Sequence, residues 1–242
     1  MTVLAALAGA RRTDPGRPLI TMYDDETGER VELSLATFDN WVCKLANLFS
    51  AEWAIAPGEL VYVDMPPHWQ SVAAMVGAWT SGLTVSLVPS SDAAVSIVGP
   101  AATGGPQPAG HVLACSLRPL GQGFAAALPE GWLDFATEVP PQPDALLIPH
   151  VVNEADDALV EPTARLTHAD LVRRGRASAT TIGLTRGGRL LTNLNPAVSS
   201  DIAVALLAPL VTNSSVVLLL NASDDRREVV ATQERVTCTS WS

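Results

Sequence analysis

The chain has 242 residues, of which 48% are hydrophobic and 17% charged, and its formal net charge is −10. This length and apolar content suit one large α/β domain or two small lobes, and they exclude a peptide or a disordered tail. The negative charge argues against a nucleic-acid partner. No apolar run reaches the ~18 residues that a membrane span needs, and the first charges follow the first apolar residues, the wrong order for a secretory signal. The sequence therefore predicts a cytoplasmic protein without a membrane partner.

Two residue counts bear on chemistry. The cysteines Cys43, Cys115 and Cys238 are far apart and form no Cys-x-x-Cys pair, so we expect three buried reduced thiols and no zinc site. The 15 cations include a single lysine, Lys44. Lys44 falls off the apolar stripe of its predicted helix, and we expect it to be a solvated, dispensable helix cation.

Strands alternate with helices over the first hundred residues. Residues 19–33 predict a hairpin whose turn at Asp25–Gly28 uses the positive φ of glycine. Helical spacing predicts an amphipathic helix over 35–53. The next predicted elements are a strand at Leu60–Met65, a helix over 68–81 that stops at Gly82, and strands at Thr84–Val88 and Val95–Val98. This alternation indicates mostly parallel sheets whose faces are covered by helices.

The middle of the chain is irregular by composition. Gly99–Gly110 is typical of a loop, and its prolines, with no Lys-Ser/Thr pair, disfavour a phosphate-binding turn. A strand is predicted at His111–Leu117 and a short helix near Phe124–Ala127. The three prolines over 140–143 mark the best candidate linker.

The last third predicts the succession β-α-β-α-β-α-β with right-handed crossovers. Its elements are strands at Ala145–Val152, Arg189–Leu194, Val216–Leu220 and Val236–Thr239, and helices from Thr167 to Ile182, over 200–211 and over 224–235. We therefore expect a first α/β lobe over residues 1–144, which includes the hairpin, and a second over 145–242.

Short patterns follow one another along the chain in a fixed order: Pro57-Gly58-Glu59, Gly77-Ala78-Trp79-x-x-Gly82, Leu166-Thr167-His168-x-x-Leu171, Gly183-Leu184-Thr185-x-Gly187 and Leu206-Leu207-x-Pro209-Leu210. In these patterns the sequence resembles the N-terminal region of the adenylate-forming (AMP-binding) superfamily, which includes the acyl-CoA synthetases. It also resembles a group of short actinobacterial proteins of unknown function. The resemblance implies an α/β fold of mostly parallel sheets flanked by helices, like the N-terminal subdomains of acyl-adenylate-forming enzymes.

The resemblance also implies where the family's phosphate loop, Ser/Thr-Gly-Ser/Thr-Thr-Gly-x-Pro-Lys-Gly, should lie, which is just before Leu166-Thr167-His168. That place holds residues 154–163, which contain no glycine, no lysine and four carboxylates. A loop that wraps a triphosphate needs glycines for close backbone approach and a cation to neutralise oxygens. Four acids can in principle hold Mg²⁺ or Ca²⁺, but we expect an exposed acidic turn and no metal.

The family's other signatures have no counterpart either. The only tyrosines are Tyr23 and Tyr62, and neither begins a Tyr-Gly-x-Thr-Glu motif. The only lysine is Lys44, so the family's lysines have no counterpart in this sequence. The side chains left for acid–base chemistry are His68, His111, His150 and His168. None has a Ser-x-Gly elbow or a second histidine at ligand spacing nearby. We therefore assign no catalytic, cofactor-binding or metal-binding residue and no cofactor.

Three functions stay open. The first is a non-catalytic, acyl-CoA synthetase-like protein, a relic scaffold for binding or assembly. The second is a divergent acyl-activating or transferase component that acts with a partner chain, which the missing phosphate loop disfavours. The third is a small-molecule binder that uses the remnant acyl or nucleotide cleft. Because Val236–Thr239 would form a sheet edge, we also expect a homodimer or a protein partner.

Overall fold

The computed structural model of the chain describes residues 1–105 and 107–241, so Pro106 of the predicted loop Gly99–Gly110 lies outside the described residues. The described residues form seven α-helices: α1 (Val3–Thr13), α2 (Leu35–Asn47), α3 (Trp69–Thr80), α4 (Phe135–Glu138), α5 (His168–Ile182), α6 (Ala208–Thr212) and α7 (Asp224–Gln233). Two π-helical turns at Leu48–Glu52 and Ala203–Leu207 continue α2 and precede α6, and 3₁₀ turns lie at Pro100–Gly104 and Pro119–Gly121.

The same residues form twelve strands: β1 (Pro18–Asp24), β2 (Glu29–Ser34), β3 (Leu60–Asp64), β4 (Thr84–Ser86), β5 (Ala93–Val98), β6 (His111–Ala114), β7 (Trp132–Asp134), β8 (Asp157–Glu161), β9 (Ala164–Thr167), β10 (Arg189–Thr192), β11 (Ser215–Leu220) and β12 (Cys238–Ser240). No helix in this described part of the chain is long and apolar enough to cross a membrane. All three cysteines are free and buried, as predicted.

The chain divides into two compact units whose segments interleave. The first unit comprises Met1–Phe38, Pro67–Trp69 and Ala169–Ser242, and the second comprises Asp39–Pro66 and Gln70–His168. The sequence instead predicted consecutive lobes, 1–144 and 145–242. The arrangement differs because β1 pairs in parallel with β11, which joins the N-terminal hairpin to the last strands of the chain.

The first unit is built on a five-stranded sheet of order β12-β10-β11-β1-β2. Its strands are parallel except for the β1–β2 hairpin, whose turn contains Gly28 at a φ of +73°. The predicted hairpin and its glycine are therefore confirmed. The apolar strand β11 lies in the middle of the sheet and is buried along almost its whole length. The three-residue strand β12 is an edge.

An ionic network ties the end of α7 to this sheet. Arg30 Nε donates to the Tyr23 hydroxyl at 2.9 Å, and that hydroxyl donates to Glu234, the C-cap of α7. Arg189 of β10 also donates to Glu234, and it reaches the Thr21 hydroxyl at 2.9 Å. Burial disfavours the Glu234 carboxylate, yet the hydrogen bonds from Tyr23 and Arg189 lower its pKa overall, so the charged form is held in place.

The second unit contains a seven-stranded sheet of order β7-β6-β5-β3-β4-β8-β9. All neighbours are parallel except the β8–β9 pair. Helix α3 approaches α2 so closely that a Cβ at Gly77 would lie 2.8 Å from the Leu45 Cβ. Buried Trp79 of α3 donates its Nε1–H to the Ala158 carbonyl of β8 at 2.7 Å, which fixes the helix on the sheet.

Two predicted elements are absent from the described residues. The stretch Ala145–Val152 is irregular and not a strand, with the side chains of Leu147 and Val151 58% and 79% exposed. The residues near Phe124–Ala127 form no helix; the regular structure nearby is the 3₁₀ turn at Pro119–Gly121 and α4. In both stretches an apolar composition misled the prediction, because hydrophobicity alone does not show whether a neighbouring strand or helix is available.

Two polar side chains of α2 replace the missing strand pairing of that stretch. Lys44 Nζ donates to the carbonyls of Pro140 and Gln142 and pairs with Asp144 at 3.0 Å. Buried Asn47 donates to the carbonyls of Pro143 and Ala145 and accepts from the Leu147 N–H, at 3.0, 2.9 and 2.8 Å. The expectation of a solvated Lys44 is therefore wrong, since one helical turn of α2 holds residues 140–147.

We expect Asn47→Ala to destabilise the protein by about 3 kcal/mol, because it leaves three backbone groups without their partner. The matched control is Asn40→Ala, which removes an exposed amide from the same helix and should change stability by less than about 0.5 kcal/mol. Urea unfolding of both variants measures the difference. Equal stability of the two variants would show that Asn47 does not hold the segment.

Candidate functional site

The position at which the resemblance places the phosphate loop is occupied by a tight hairpin. Strands β8 and β9 are antiparallel, and Glu161 lies opposite Ala164, so Pro162 and Thr163 alone form the turn. Arg165 on β9 pairs with Asp157 on β8 at 2.8 Å, which joins the two strands across the sheet. A turn of two residues has no length with which to surround a triphosphate.

The four acids of this region are spread along the chain and do not converge. Asp157 is paired with Arg165, and Asp156 accepts from the backbone and side-chain amides of Asn153 at 2.7 and 3.2 Å. Within residues 1–105 and 107–241, no group of three or more His, Cys, Asp or Glu side chains is placed to hold a metal ion. The region expected to form an acidic turn thus contains a turn at residues 154–155, strand β8 and the two-residue turn of the hairpin.

His168 begins α5, as predicted, but its imidazole is only 1% exposed. It packs edge-on against Trp79 with ring centroids 6.1 Å apart, and its Nδ1 has no hydrogen-bond partner among the described residues. Burial lowers the pKa of His168 to about 4, even though the Asp156 carboxylate acts in the opposite direction. A neutral, enclosed imidazole of this kind cannot exchange protons with a substrate.

The other three histidines lie on separate elements. His68, one residue before α3, is buried, and burial lowers its pKa to about 4. His111 at the start of β6 stacks on Trp53 with centroids 4.8 Å apart. His150 covers Gly82 so closely that a Cβ there would lie 2.4 Å from its Nε2. In the second unit, His111, His150 and His168 are therefore not gathered into an acid–base group.

The second unit instead contains a cavity that the sequence analysis did not anticipate. Its volume is about 580 Å³, which lies in the range of small-molecule sites. Its lining combines a carboxylate, a phenol, hydroxyls, an amide and apolar groups: Tyr62, Asp64, Pro89, Ser90, Ser91, Val98, Ala102, Gly105, Gln107, Pro108 and Ala109. We call it the β3–β5 cavity, because Asp64 and Val98 are the last residues of those strands.

The connections of this sheet explain why the cavity exists. Parallel strands are usually joined by a dozen or more residues that include a helix, but β4 and β5 are joined by residues 87–92 alone. The next crossover, from β5 to β6, contains only the 3₁₀ turn at Pro100–Gly104. Right-handed crossovers place both connections on the face opposite α3. These two connections therefore contribute loops to that face, and neither contributes an α-helix in its described residues.

Strand alternation aims the polar groups at the same face. Tyr62 lies opposite Ser96 and Asp64 opposite Val98, so these four side chains project to one side of the sheet. Burial raises the pKa of Tyr62, and the charge of Asp64 and a hydrogen bond to it act in the same direction. The side chain of Asp64 is exposed.

An apolar cluster adjoins the cavity and fixes one of its walls. Val98 packs with Val112, Ala114 and Trp132, and loop residues cover this group. Trp132 Nε1 donates to Gln107 Oε1 at 2.7 Å, which anchors the loop after β5. A sequence signal for the cavity exists only in the shortness of the segment between β4 and β5.

Comparison with known proteins places the fold. No protein-family model matches the chain. A "TIGR03089 family protein" of Mycobacterium tuberculosis (strain ATCC 25618 / H37Rv) is 33% identical over 253 aligned positions, which span 98% of this chain and 99% of the relative.

Two solved enzymes share the architecture over the whole chain. An acyl-CoA synthetase of Brucella canis superposes with a TM-score of 0.80 at 17% identity, and an anthranilate CoA ligase in complex with anthranoyl-AMP superposes with a TM-score of 0.75 at 15% identity. The chain spans about half the length of these enzymes, 47% and 49% respectively. The predicted α/β fold is thereby confirmed.

The buried His168 gives a test of the geometry at the start of α5. Its folded pKa of about 4 is below the ordinary value of ~6.5, so its neutral form stabilises the fold fully above pH 6.5 and this contribution is lost as the pH falls toward 4. When the pH is lowered from 7.5 to 5, the free energy of unfolding should fall in both proteins. We expect the fall to be about 2 kcal/mol smaller in His168→Phe than in the unsubstituted protein.

Urea unfolding at the two pH values measures this difference. The control is His111→Phe, which replaces an exposed imidazole on another element and retains a ring against Trp53. An unaltered pH dependence in His168→Phe would show that this histidine is protonated without cost in the folded chain.

Proposed function

This chain belongs to the TIGR03089 family, and from that premise we propose that it is a non-catalytic protein with an acyl-CoA synthetase-like fold, which does not form acyl-adenylates and uses its scaffold for binding or assembly. The observation that carries this proposal is the two-residue turn between β8 and β9. Adenylate formation requires that the phosphates of ATP be held while a carboxylate attacks. The hairpin offers none of the backbone donors that such a loop provides.

The charges around the turn also oppose phosphate binding. Asp156 and Asp157 lie at the entrance of β8 and Glu161 at its end, whereas the one cation of the hairpin, Arg165, is neutralised by Asp157. The only lysine, Lys44, is engaged with residues 140–144. An approaching polyphosphate would therefore meet net negative charge without a free compensating cation in the hairpin.

The alternative, an acyl-activating component completed by a partner chain, has less support. A partner can supply a missing domain, but it cannot lengthen the turn at Pro162 and Thr163. The third hypothesis, a small-molecule binder, is compatible with a non-catalytic scaffold, and the β3–β5 cavity gives it a location other than the acyl or nucleotide cleft.

We expect no ATP–pyrophosphate exchange with any member of a panel of aliphatic and aromatic carboxylic acids, because the phosphate-binding segment is replaced by a hairpin. An authentic acyl-CoA synthetase assayed in parallel verifies the conditions. Calorimetric titration with MgATP should give no saturable heat at micromolar concentrations. Exchange above background, or micromolar ATP binding, would overturn the proposal.

Assembly is the second part of the proposal, and we propose a homodimer formed through the edge of the first unit's sheet. Strand β12 pairs with β10 alone, so its outer side presents backbone donors and acceptors. A two-fold dimer is the most frequent way in which proteins cover such an edge. The apolar central strand β11 and its neighbours would then extend into one sheet across the two copies.

Light scattering on a size-exclusion column tests this association. We expect a dimer at tens of micromolar and its weakening in Thr239→Lys, because a charged side chain on an edge strand opposes pairing. The control Thr232→Lys introduces the same charge at an exposed position of α7 and should leave the dimer intact. A monomer at these concentrations would refute the dimer.

A further inference from the structure

We propose that the β3–β5 cavity binds a small organic cation, an amine carried on a flat apolar body. The site is distinct from the β8–β9 hairpin and does not depend on whether the chain activates carboxylic acids. Its position, its charge and its apolar wall each support the assignment.

Position is the first argument. The sheet contains the strand order β4-β3-β5-β6-β7. The chain passes from β3 to β4 on one side of β3, and the next connection crosses β3 to reach β5 on its other side. The carboxyl ends of β3 and β5, Asp64 and Val98, therefore flank the point at which the strand order reverses. Open parallel sheets bind ligands in the crevice at such a switch point. The cavity is lined by both of these residues.

Charge is the second argument. The lining contains one carboxylate, Asp64, and no Lys, Arg or His. Asp64 lines the cavity together with Tyr62 and its side chain is exposed, so its carboxylate oxygens can accept hydrogen bonds from a ligand. A ligand ammonium group would find a carboxylate and an aromatic ring two residues apart on β3. A carboxylate or phosphate would find neither a cation nor a helix N-terminus.

The apolar wall is the third argument. Val98, Pro89 and Pro108 give the cavity flat, rigid surfaces, and Gln107 is held in place by Trp132. Ser90 and Ser91 supply hydroxyls that can accept from a second ammonium N–H. A volume of about 580 Å³ accommodates an aromatic ring system with a short amine side chain. We therefore expect the cavity to prefer a ligand that carries a cationic group on an apolar body.

Three indole compounds of one size test the assignment: tryptamine (a cation), tryptophol (neutral) and indole-3-propionate (an anion). Isothermal titration of the full chain should show tryptamine binding about fivefold more tightly than tryptophol, the range expected for a partly exposed ion pair, and indole-3-propionate more weakly than both. In Asp64→Asn the preference for tryptamine over tryptophol should disappear.

The control Glu59→Gln removes one negative charge from an exposed residue just before β3, at the opposite end of that strand, and should keep the preference. Circular dichroism establishes that each variant is folded. A second variant, Ala102→Trp, fills the cavity and should weaken all three compounds at least tenfold. Absence of saturable tryptamine binding, a preference that survives Asp64→Asn, or tightest binding of indole-3-propionate would each overturn the proposal. The ATP experiments are unaffected by any of these results, so the two proposals fail separately.

Discussion

Connection length is the physical constraint on which the second unit depends. Its strands pair in the parallel register that acyl-CoA synthetase-like sheets share, but two of its connections are unusually short. The turn between β8 and β9 has two residues, and the crossover between β4 and β5 has six. A two-residue turn leaves the backbone no freedom beyond reversing direction. A six-residue crossover is too short to contain a helix. Both consequences, a tight β8–β9 turn and a β4–β5 crossover without a helix, follow from chain length before any side chain is considered.

Buried polar side chains compensate where regular structure ends. Residues 140–147 lie against α2 without forming a strand, and Lys44 and Asn47 satisfy their backbone groups. In the first unit, Glu234 at the end of α7 accepts hydrogen bonds from Tyr23 and Arg189. Each arrangement exchanges hydrogen bonds with water for bonds within the chain. Removal of one member leaves the others desolvated and unpaired, which is more costly than the net gain from forming the bond.

The features that the sequence predicted well are those with a local physical cause. The β1–β2 hairpin follows from a turn that needs positive φ at Gly28, and α2 and α3 follow from apolar residues that recur at helical spacing. The interleaving of the two units was not predictable in this way, because the parallel pairing of β1 with β11 joins residues almost two hundred positions apart.

Local signals also misassigned two features. The apolar stretch Ala145–Val152 has the composition of a strand, but no strand pairs with it among the described residues. Lys44 lies off the apolar stripe of its helix, as the periodicity indicates, yet the polar face of α2 contacts residues 140–144. Periodicity identifies which side of a helix is apolar, and it does not identify what the other side touches.

The β3–β5 cavity was missed for a related reason. Its lining comes from three separate stretches, at the end of β3, after β4, and from the end of β5 to the residues before β6, and no one stretch has a recognisable motif. Alternation along β3 places Tyr62 and Asp64 on one face, but only the sheet order shows that the β4–β5 and β5–β6 crossovers run on this face.

Sheet order also separates the two proposed properties of the second unit. Strand β4 lies between β3 and β8, so the β8–β9 hairpin and the cavity that ends on Asp64 and Val98 share no strand. The two are linked at one point, because the Leu87 N–H at the start of the β4–β5 crossover donates to the Val160 carbonyl of β8 at 3.0 Å. A scaffold organised in this way can lose the chemistry of one connection and acquire a binding site at another while its core stays the same.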